Sequence, residues 1–196
     1  MKHLILLIGL LFITSCNGQT DLEQIKIDEK ISFDTSKLEK DSDPTYGLKG
    51  YSTADLSHFK IANIPLNTYK LPDGYEVDYS DLYVFVDNYE NNKFLGYMIN
   101  SVKEDEQKKL IEFLTKKYGK PQFSSKKEVS KSMIWVDNTE KKWILLSQNT
   151  IGLTRKHIPF KELQLIVVKQ GTRVENSKDE KVFTIIDSYK LSHFQK

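Results

Sequence analysis

Residues 81–100 read DLYVFVDNYENNKFLGYMIN and give the clearest indication of a β-sheet in the chain. Tyr83–Val86 and Phe94–Ile99 are apolar runs, and the polar residues 87–93 separate them. Two short apolar runs that flank a polar loop are typical of a β-hairpin. The stretch therefore predicts two antiparallel strands.

The turn of this hairpin recurs farther along the chain. The pattern V-D-N-x-E at 86–90 is found again at 136–140. Apolar arms at Ser132–Val136 and Lys142–Ser147 flank the second copy, so we predict a second hairpin there. A duplicated ββα unit and a shared turn chemistry both explain the repeat, and we favour the shared turn chemistry.

The clearest single element is a helix over 102–118. Leu110 and Leu114 are four residues apart and share a helical face. Acidic side chains fill the first turn and lysines the last, in agreement with the helix dipole. The sequence S-V-K-E at 101–104 predicts a capping box at the N-terminus, and Gly119 predicts the C-terminal stop.

Four further segments complete the predicted elements. Residues 25–33 alternate apolar and polar side chains and predict a strand, whereas 52–55 resembles a capping box and predicts a short helix. Residues 163–168 predict a strand buried on both faces. Residues 178–194 fit a strand or a helix, and we favour a helix. The predicted fold class is α+β: an antiparallel β-sheet built from hairpins, with two or three helices packed on one face.

Length and composition bound the class of protein. The chain has 196 residues, 39% of them hydrophobic, and a formal net charge of +2. This is enough apolar material for one compact domain, and the charge balance gives no reason to expect a nucleic-acid partner. We predict a signal peptide at 1–15, a lipidated tether at 16–24 and a single α+β domain at 25–196. The one cysteine, Cys16, excludes an intrachain disulfide.

The N-terminus has the features of a secretory signal. Lys2 precedes a run of about ten apolar residues, which is shorter than the roughly 20 that a membrane-spanning helix needs. Ile13-Thr14-Ser15-Cys16 resembles the lipobox of bacterial lipoproteins, and the start of the mature chain resembles those of lipoproteins from the Bacteroidota. The resemblance implies a diacylglyceryl group on the Cys16 thiol, cleavage before Cys16 and acylation of the new amine. Two or three acyl chains hold a protein on a membrane stably.

The same resemblance implies a location in the bacterial cell envelope, with the membrane as a partner through the N-terminal acyl chains. Asn17 rather than Asp follows the cysteine, and by analogy with enterobacterial sorting this implies the outer membrane. The periplasmic face and the outer face both fit the sequence. An ordinary signal peptide whose cleavage site happens to contain a cysteine is the alternative.

No residue pattern for catalysis, a cofactor or a metal ion is found in the sequence. His58, His157 and His193 are isolated, whereas a zinc site normally needs three or four ligands. A P-loop, a dinucleotide fingerprint and a G-x-S-x-G motif are absent from the sequence. We therefore predict no catalytic residue, no cofactor and no metal ligand, and Cys16, as the lipid-attachment site, is the one predicted site residue.

Two charged stretches are candidates for binding surfaces. Residues 71–92 hold six acidic side chains and four tyrosines without Lys or Arg, which fits a partner-binding edge, a weak Ca²⁺ site or a sheet with a polar outer face. Residues 116–131 hold six lysines, which fits anionic headgroups, a charged glycan, an acidic partner or a solvated helix end. We favour a sheet with a polar outer face for the first stretch and a solvated helix end for the second. We also expect Trp135 and Trp143 in the core rather than paired for stacking on a sugar.

The predicted function rests on the predicted lipid anchor and on the absence of catalytic motifs from the sequence. The helix stop at 114–121 and the hairpin after it resemble a stretch in many small uncharacterised envelope proteins, which implies a fold and no activity. We predict a non-catalytic envelope lipoprotein whose domain binds another macromolecule, a protein or a glycan. An immunity or inhibitor lipoprotein that neutralises an envelope-acting toxin is one alternative. A hydrolase of envelope glycan or peptide is the other.

Overall fold

The computed structural model describes residues 18–90 and 92–194, apart from the side chain of Ile151. The predicted lipid-attachment residue Cys16 and the predicted signal peptide lie outside the described residues. The described strands are β1 (Thr20–Asp21), β2 (Glu39–Ser42), β3 (Lys49–Thr53), β4 (Phe59–Ile61), β5 (Ile64–Pro65), β6 (Asp81–Val86), β7 (Phe94–Ser101), β8 (Phe123–Lys126), β9 (Ser130–Asp137), β10 (Lys142–Leu153) and β11 (Pro159–Lys169). The described α-helices are α1 (Glu104–Tyr118) and α2 (Ile185–Phe194).

Eight strands form one antiparallel sheet in the order β2-β3-β6-β7-β11-β10-β9-β8. β6 and β7 are the arms of the first predicted hairpin, and β9 and β10 are the arms of the second, so both hairpins are confirmed. β11 pairs with β7 on one side and β10 on the other and joins the two hairpins into one sheet. A small sheet, β1-β4-β5, contacts α1 through β5.

The predicted fold class, with helices on one face of the sheet, is wrong. The described chain is predominantly β, and its two α-helices pack on opposite faces of the large sheet. On the first face, Leu110 and Leu114 of α1 pack in a cluster that includes Tyr97. On the second face, Ile185 and Tyr189 of α2 pack in a separate cluster. The reason is that the central strands carry apolar side chains at consecutive positions, so that both faces need a cover.

β11 shows this two-sided burial most directly. Leu165 and Val167 belong to the cluster on the first face, and Ile166 and Val168 to the cluster on the second. All four side chains are almost completely buried, which confirms the predicted two-sided strand. Each contributes about 1.5–3 kcal/mol of hydrophobic free energy when it is fully buried.

The alternating segment 25–33 is not the predicted strand. After a short 3-10 helix at Leu22–Gln24 the chain runs through turns, and only Lys30 forms an isolated bridge, to Lys93. The apolar side chains of the segment nevertheless pack against the first-face cluster. The alternation therefore marks which side chains meet the core, although the backbone does not pair as a strand. β1 lies inside the predicted tether at 16–24, so part of that segment belongs to the fold.

The two predicted capping boxes and the start of the C-terminal helix differ from the structure, although the main helix is confirmed. The N-cap of α1 is Lys103, without a side-chain cap, because the Ser101 hydroxyl donates to Glu106 Oε1 at 2.9 Å. α2 begins later than predicted, and Thr184 Oγ1 accepts from the Asp187 amide at 3.3 Å. Asp55 caps a 3-10 helix at Leu56–His58 instead of closing a box that begins at residue 52.

The recurring turn motif reflects shared turn chemistry. Asp87 Oδ1 accepts from the amides of Tyr89 and Glu90, and Asp137 Oδ1 accepts from the amides of the two corresponding residues. The second hairpin continues into β11 rather than a helix, so a duplicated ββα unit is not formed.

The two tryptophans of the second hairpin do not pair. Trp135 lies opposite Ile144, and Trp143 lies opposite Val136. Trp135 is buried in the first-face cluster, whereas Trp143 is partly buried and packs against the second. Both therefore contribute to the core, as expected, and they face opposite sides of the sheet.

Gly96 allows two strands to approach each other closely. Its φ is +147°, and an added Cβ would lie 2.0 Å from the Val167 carbonyl oxygen. We expect Gly96→Ala to lower the free energy of unfolding by about 3 kcal/mol, because the new atom overlaps rigid backbone as well as straining φ. Urea unfolding measures the change.

Gly119→Ala is the matched control for this prediction. Gly119 also has a positive φ, of +70°, but an added Cβ would meet no atom within 4 Å. Its substitution should cost only about 1 kcal/mol of conformational strain. Equal losses in the two variants would contradict a clash at Gly96.

Candidate functional site

A buried ionic cluster holds the N-terminal segment on the first face of the sheet. Glu23 lies in the 3-10 helix that Asp21 caps by accepting the Glu23 amide at 3.1 Å. The Glu23 carboxylate accepts from the Tyr97 hydroxyl at 3.0 Å and forms ion pairs with Lys117 of α1 and Lys142 of β10. One side chain of the N-terminal segment is thereby bound to a helix and to two strands of the sheet.

The charges of this cluster are matched. Burial would raise the pKa of Glu23, but Lys142 and Lys117 outweigh it and hold the pKa below its ordinary value. The side chain of Glu23 is only 3% exposed and that of Lys142 6% exposed, and Lys142 also pairs with Glu140, so each buried charge has opposite charge beside it. The neighbouring cavity, of about 300 Å³, is lined largely by apolar side chains such as Ile25, Ile27 and Phe94. These features fit a structural latch, since each charge is already engaged within the protein.

We expect Lys142→Met to lower the free energy of unfolding by about 3 kcal/mol, because it leaves Glu23 buried with fewer opposite charges. Adding Glu23→Gln should recover part of the loss, so that the double variant is more stable than the sum of the single effects. Urea unfolding of the single and double variants measures the coupling.

Lys156→Met is the control for the latch prediction. Lys156 pairs with Asp73 at 2.8 Å, but its side chain is 67% exposed. Loss of an exposed pair costs less than about 1 kcal/mol. An equal effect of Lys142→Met and Lys156→Met would refute the buried latch.

A second polar group lies on the second face of the sheet, where the apolar rows of β6, β7, β10 and β11 end. Asp81 lies opposite Asn100, which lies opposite Gln164, so the three side chains form a row across three strands. Glu162 follows on the same face of β11, opposite Asn149 of β10. We call these five residues the polar strip.

Hydrogen bonds connect three members of the polar strip. Asn100 Nδ2 donates to Asp81 Oδ1 at 2.7 Å, and Gln164 Nε2 donates to Asn100 Oδ1 at 3.2 Å. Glu162 and Asn149 extend the strip by their position on the same face. All five side chains are half-buried and still present polar atoms to solvent, as a binding surface requires.

The carboxyl groups of the strip are easier to protonate than ordinary ones. Burial raises the pKa of Asp81 to about 6, with a further contribution from Glu162, although the Asn100 hydrogen bond opposes the shift. Burial and the charge of Asp78 raise the pKa of Glu162. A basic partner would stabilise both carboxylates, so the strip favours a ligand that donates hydrogen bonds or carries positive charge.

Most residues of the predicted acidic stretch have other local roles. Asp73 pairs with Lys156, the Asp78 carboxylate accepts from the Tyr75 amide at 2.7 Å, and Asp87 caps a turn. Only Asp81 joins the strip. The predicted basic stretch is divided, because Lys117 binds Glu23 whereas the lysines at 126–131 lie at the far end of β8.

His58, His157 and His193 do not come together. His58 lies beside Asp55 on the surface, His157 lies in the β10–β11 turn, and the ring of His193 stacks on Tyr189 with centroids 4.1 Å apart. Within 18–90 and 92–194 no group of three or more His, Cys, Asp or Glu side chains is placed to hold a metal ion. Neither of the described α-helices is long and apolar enough to cross a membrane.

Sequence reasoning missed both polar groups. Glu23 lay in a segment interpreted as tether, and Gln164 was one polar residue within an apolar run. The one signal in the sequence is that Gln164 interrupts that run at a position where a side chain faces away from Leu163 and Leu165. Only the pairing of β11 with β7, which are distant in sequence, brings Gln164 beside Asn100.

No protein family, curated protein or solved structure matches this chain. Functional proposals for it therefore rest on its own residues.

Proposed function

We propose that this chain is a lipid-anchored envelope protein whose domain binds another macromolecule, without catalysis, through the polar strip. The lipobox-like Ile13-Thr14-Ser15-Cys16 supports the anchor. The strip supports the binding role, because it is a half-buried polar surface across four adjacent strands, and hydrogen bonds order its side chains on three of them. This ordered surface is the observation that carries the proposal.

The partner is a protein or a glycan of the envelope that presents hydrogen-bond donors or basic groups. The strip contains two carboxylates and three amides and no Lys or Arg, so a donor-rich surface is its natural complement. An immunity or inhibitor lipoprotein is a narrower form of this proposal, in which the partner is a toxin with a basic surface.

One observation favours the hydrolase alternative. A carboxyl group with a pKa of about 6, as at Asp81, suits a general acid. Hydrolases, however, normally bind substrate in a concave pocket, and the main cavities of the described residues are lined by other side chains. The strip lies across a sheet face and not in a pocket. This arrangement suits a partner with a broad surface better than a substrate whose scissile bond must be enclosed.

The anchor is tested by Cys16→Ala in the native host. Because acyl chains supply the membrane affinity, we expect the native protein to enter the detergent phase of a Triton X-114 partition and the variant to enter the aqueous phase. Mass spectrometry of the native N-terminal peptide should show the lipid on the Cys16 sulfur. A variant that stays in the detergent phase, or an unmodified sulfur, would overturn the anchor.

The strip is tested by in vivo crosslinking from a photoreactive residue at position 164. We expect a discrete crosslinked species whose yield falls about tenfold with Glu162→Lys, a change equal to about 1.4 kcal/mol, because the charge at the contact is reversed. Glu112→Lys makes the same charge change on the exposed side of α1 and is the matched control. If both variants reduce the yield equally, or neither does, the strip is not the binding surface.

A further inference from the structure

Three segments meet at the end of the sheet where β10 turns back into β11. The Arg155 amide donates to the Asp73 carbonyl at 2.8 Å, so the β10–β11 turn contacts the loop at 71–80. The Thr150 amide donates to the Val129 carbonyl at 2.9 Å, so the β8–β9 turn contacts β10 beside the same turn. We call this end of the sheet the loop end, and the opposite end, at 87–93 and 137–141, the turn end.

Exposed aliphatic side chains project from the loop end. Val129 is 60% exposed, Leu153 48% and Ile158 56%. Val129 and Ile158 lie in the two turns, Leu153 is the last residue of β10, and all three contribute to neither core cluster. One exposed apolar residue needs no explanation, but a group on adjacent turns marks an interaction surface.

The same two turns are strongly basic. Residues 126–131 and 153–161, which we call the basic tip, contain six Lys or Arg and one acidic residue. The adjoining loop at 71–80 is acidic, and its Asp73 pairs with Lys156, so the remaining positive charge of the tip is concentrated at the lysines of 126–131 and at Lys161. Lys126, Lys127, Lys131 and Lys161 line a shallow depression together with Gln148 and Thr150. Lysines that surround hydrogen-bonding side chains suit a phosphate group, and aliphatic tips beside them suit the apolar layer below a headgroup.

The described part of the chain begins at the loop end as well. Gln19 Nε2 donates to the Ser57 carbonyl at 2.9 Å, and the Thr68 hydroxyl donates to Asp55 at 2.9 Å, close to Ser57. Residues 68–70 then lead to the bridge between Lys70 and Tyr79, at the base of the 71–80 loop. Cys16 precedes Gly18 by two residues, which span at most about 7 Å. The predicted lipid-attachment site is thus tied to the end that carries the basic tip.

We propose that the basic tip lies on an anionic membrane surface, so that the domain stands end-on with the acyl chains and the tip in the same leaflet. The charge of the tip complements anionic headgroups, and its aliphatic residues enter the interface. The part of this inference that concerns the acyl chains rests on the proposed lipid anchor. The affinity of the tip for anionic lipid does not depend on the anchor.

The test uses residues 16–196 with Cys16→Ala, which retains every residue that the structure describes and lacks acyl chains. We expect it to bind vesicles of mixed phosphatidylcholine and phosphatidylglycerol at low salt, and to bind phosphatidylcholine vesicles far more weakly. Neutralising four lysines, in the variant Lys126→Gln, Lys127→Gln, Lys131→Gln and Lys161→Gln, should lower the partition coefficient about a hundredfold. Leu153→Ser with Ile158→Ser should also lower it, by removing the apolar contribution.

The matched control removes the same charge from α1 and the residues after it. The lysines at 108, 109, 116 and 120 are also exposed, and their replacement by Gln should change vesicle binding several-fold at most. Inorganic phosphate in excess should compete poorly, because the tip recognises a surface rather than a single anion.

Several results would overturn the proposal. They are no binding to anionic vesicles at low salt, equal losses in the tip and control variants, and full competition by inorganic phosphate. A protein crosslinked from position 158 in cells, without vesicle binding, would instead make the tip a protein interface. The vesicle assay uses protein without acyl chains. A negative result in this assay would therefore leave unchanged the detergent-phase test of the Cys16 anchor and the crosslinking test of the strip from position 164.

Discussion

The structure depends on one constraint: a single antiparallel sheet whose central strands are apolar on both faces. Antiparallel sheets commonly expose one face to water, with polar side chains at alternate positions. Here β7 and β11 place Tyr97 and Val167 on one face and Met98 and Ile166 on the other. The residues outside the large sheet must therefore cover both of its faces. α1, the small sheet and the N-terminal segment cover the first face, and α2 covers part of the second. The polar strip lies on the second face where the apolar rows end.

The ionic latch matters because the N-terminal segment is part of what covers the first face of the sheet. The segment at 22–33 has little regular structure and is held by its side chains, so a strong tertiary contact has a large effect on its position. Because the folded-state pKa of Glu23 is lowered, the latch stabilises the fold fully above the ordinary carboxyl pKa, and this contribution is lost as the pH falls through the lowered value. At neutral pH the latch is therefore fully formed.

Local patterns in the sequence predicted the elements better than their arrangement. Both hairpins, α1 and β11 could be predicted because their signals lie within about twenty residues: an apolar period, a turn motif and Gly119. The segment 25–33 was misassigned because alternation reports burial and not backbone pairing. The predicted fold class, with helices on one face, failed for a related reason, since no local pattern shows that β11 inserts between two hairpins and leaves both faces to be covered.

The strip and the latch join residues that are 19 to 119 positions apart, such as Asp81 with Asn100 and Glu23 with Lys142. Only the strand order brings these residues together.

The proposed membrane contact and the proposed binding strip constrain each other. Asp81 is the first residue of β6, and Asn149 lies four residues before Leu153, which corresponds to about 13 Å along the strand. If the tip lies on the leaflet, the strip faces sideways within a short distance of the headgroups. A partner that binds there must itself reach the membrane surface, which favours another membrane-attached molecule or a polymer that runs along the leaflet. The latch lies towards the turn end, on the opposite face of the sheet from the strip, and residues 18–23 run from the loop end towards it. The two polar groups therefore occupy separate parts of the fold, so that a partner on the strip does not compete with the contacts that hold the N-terminal segment.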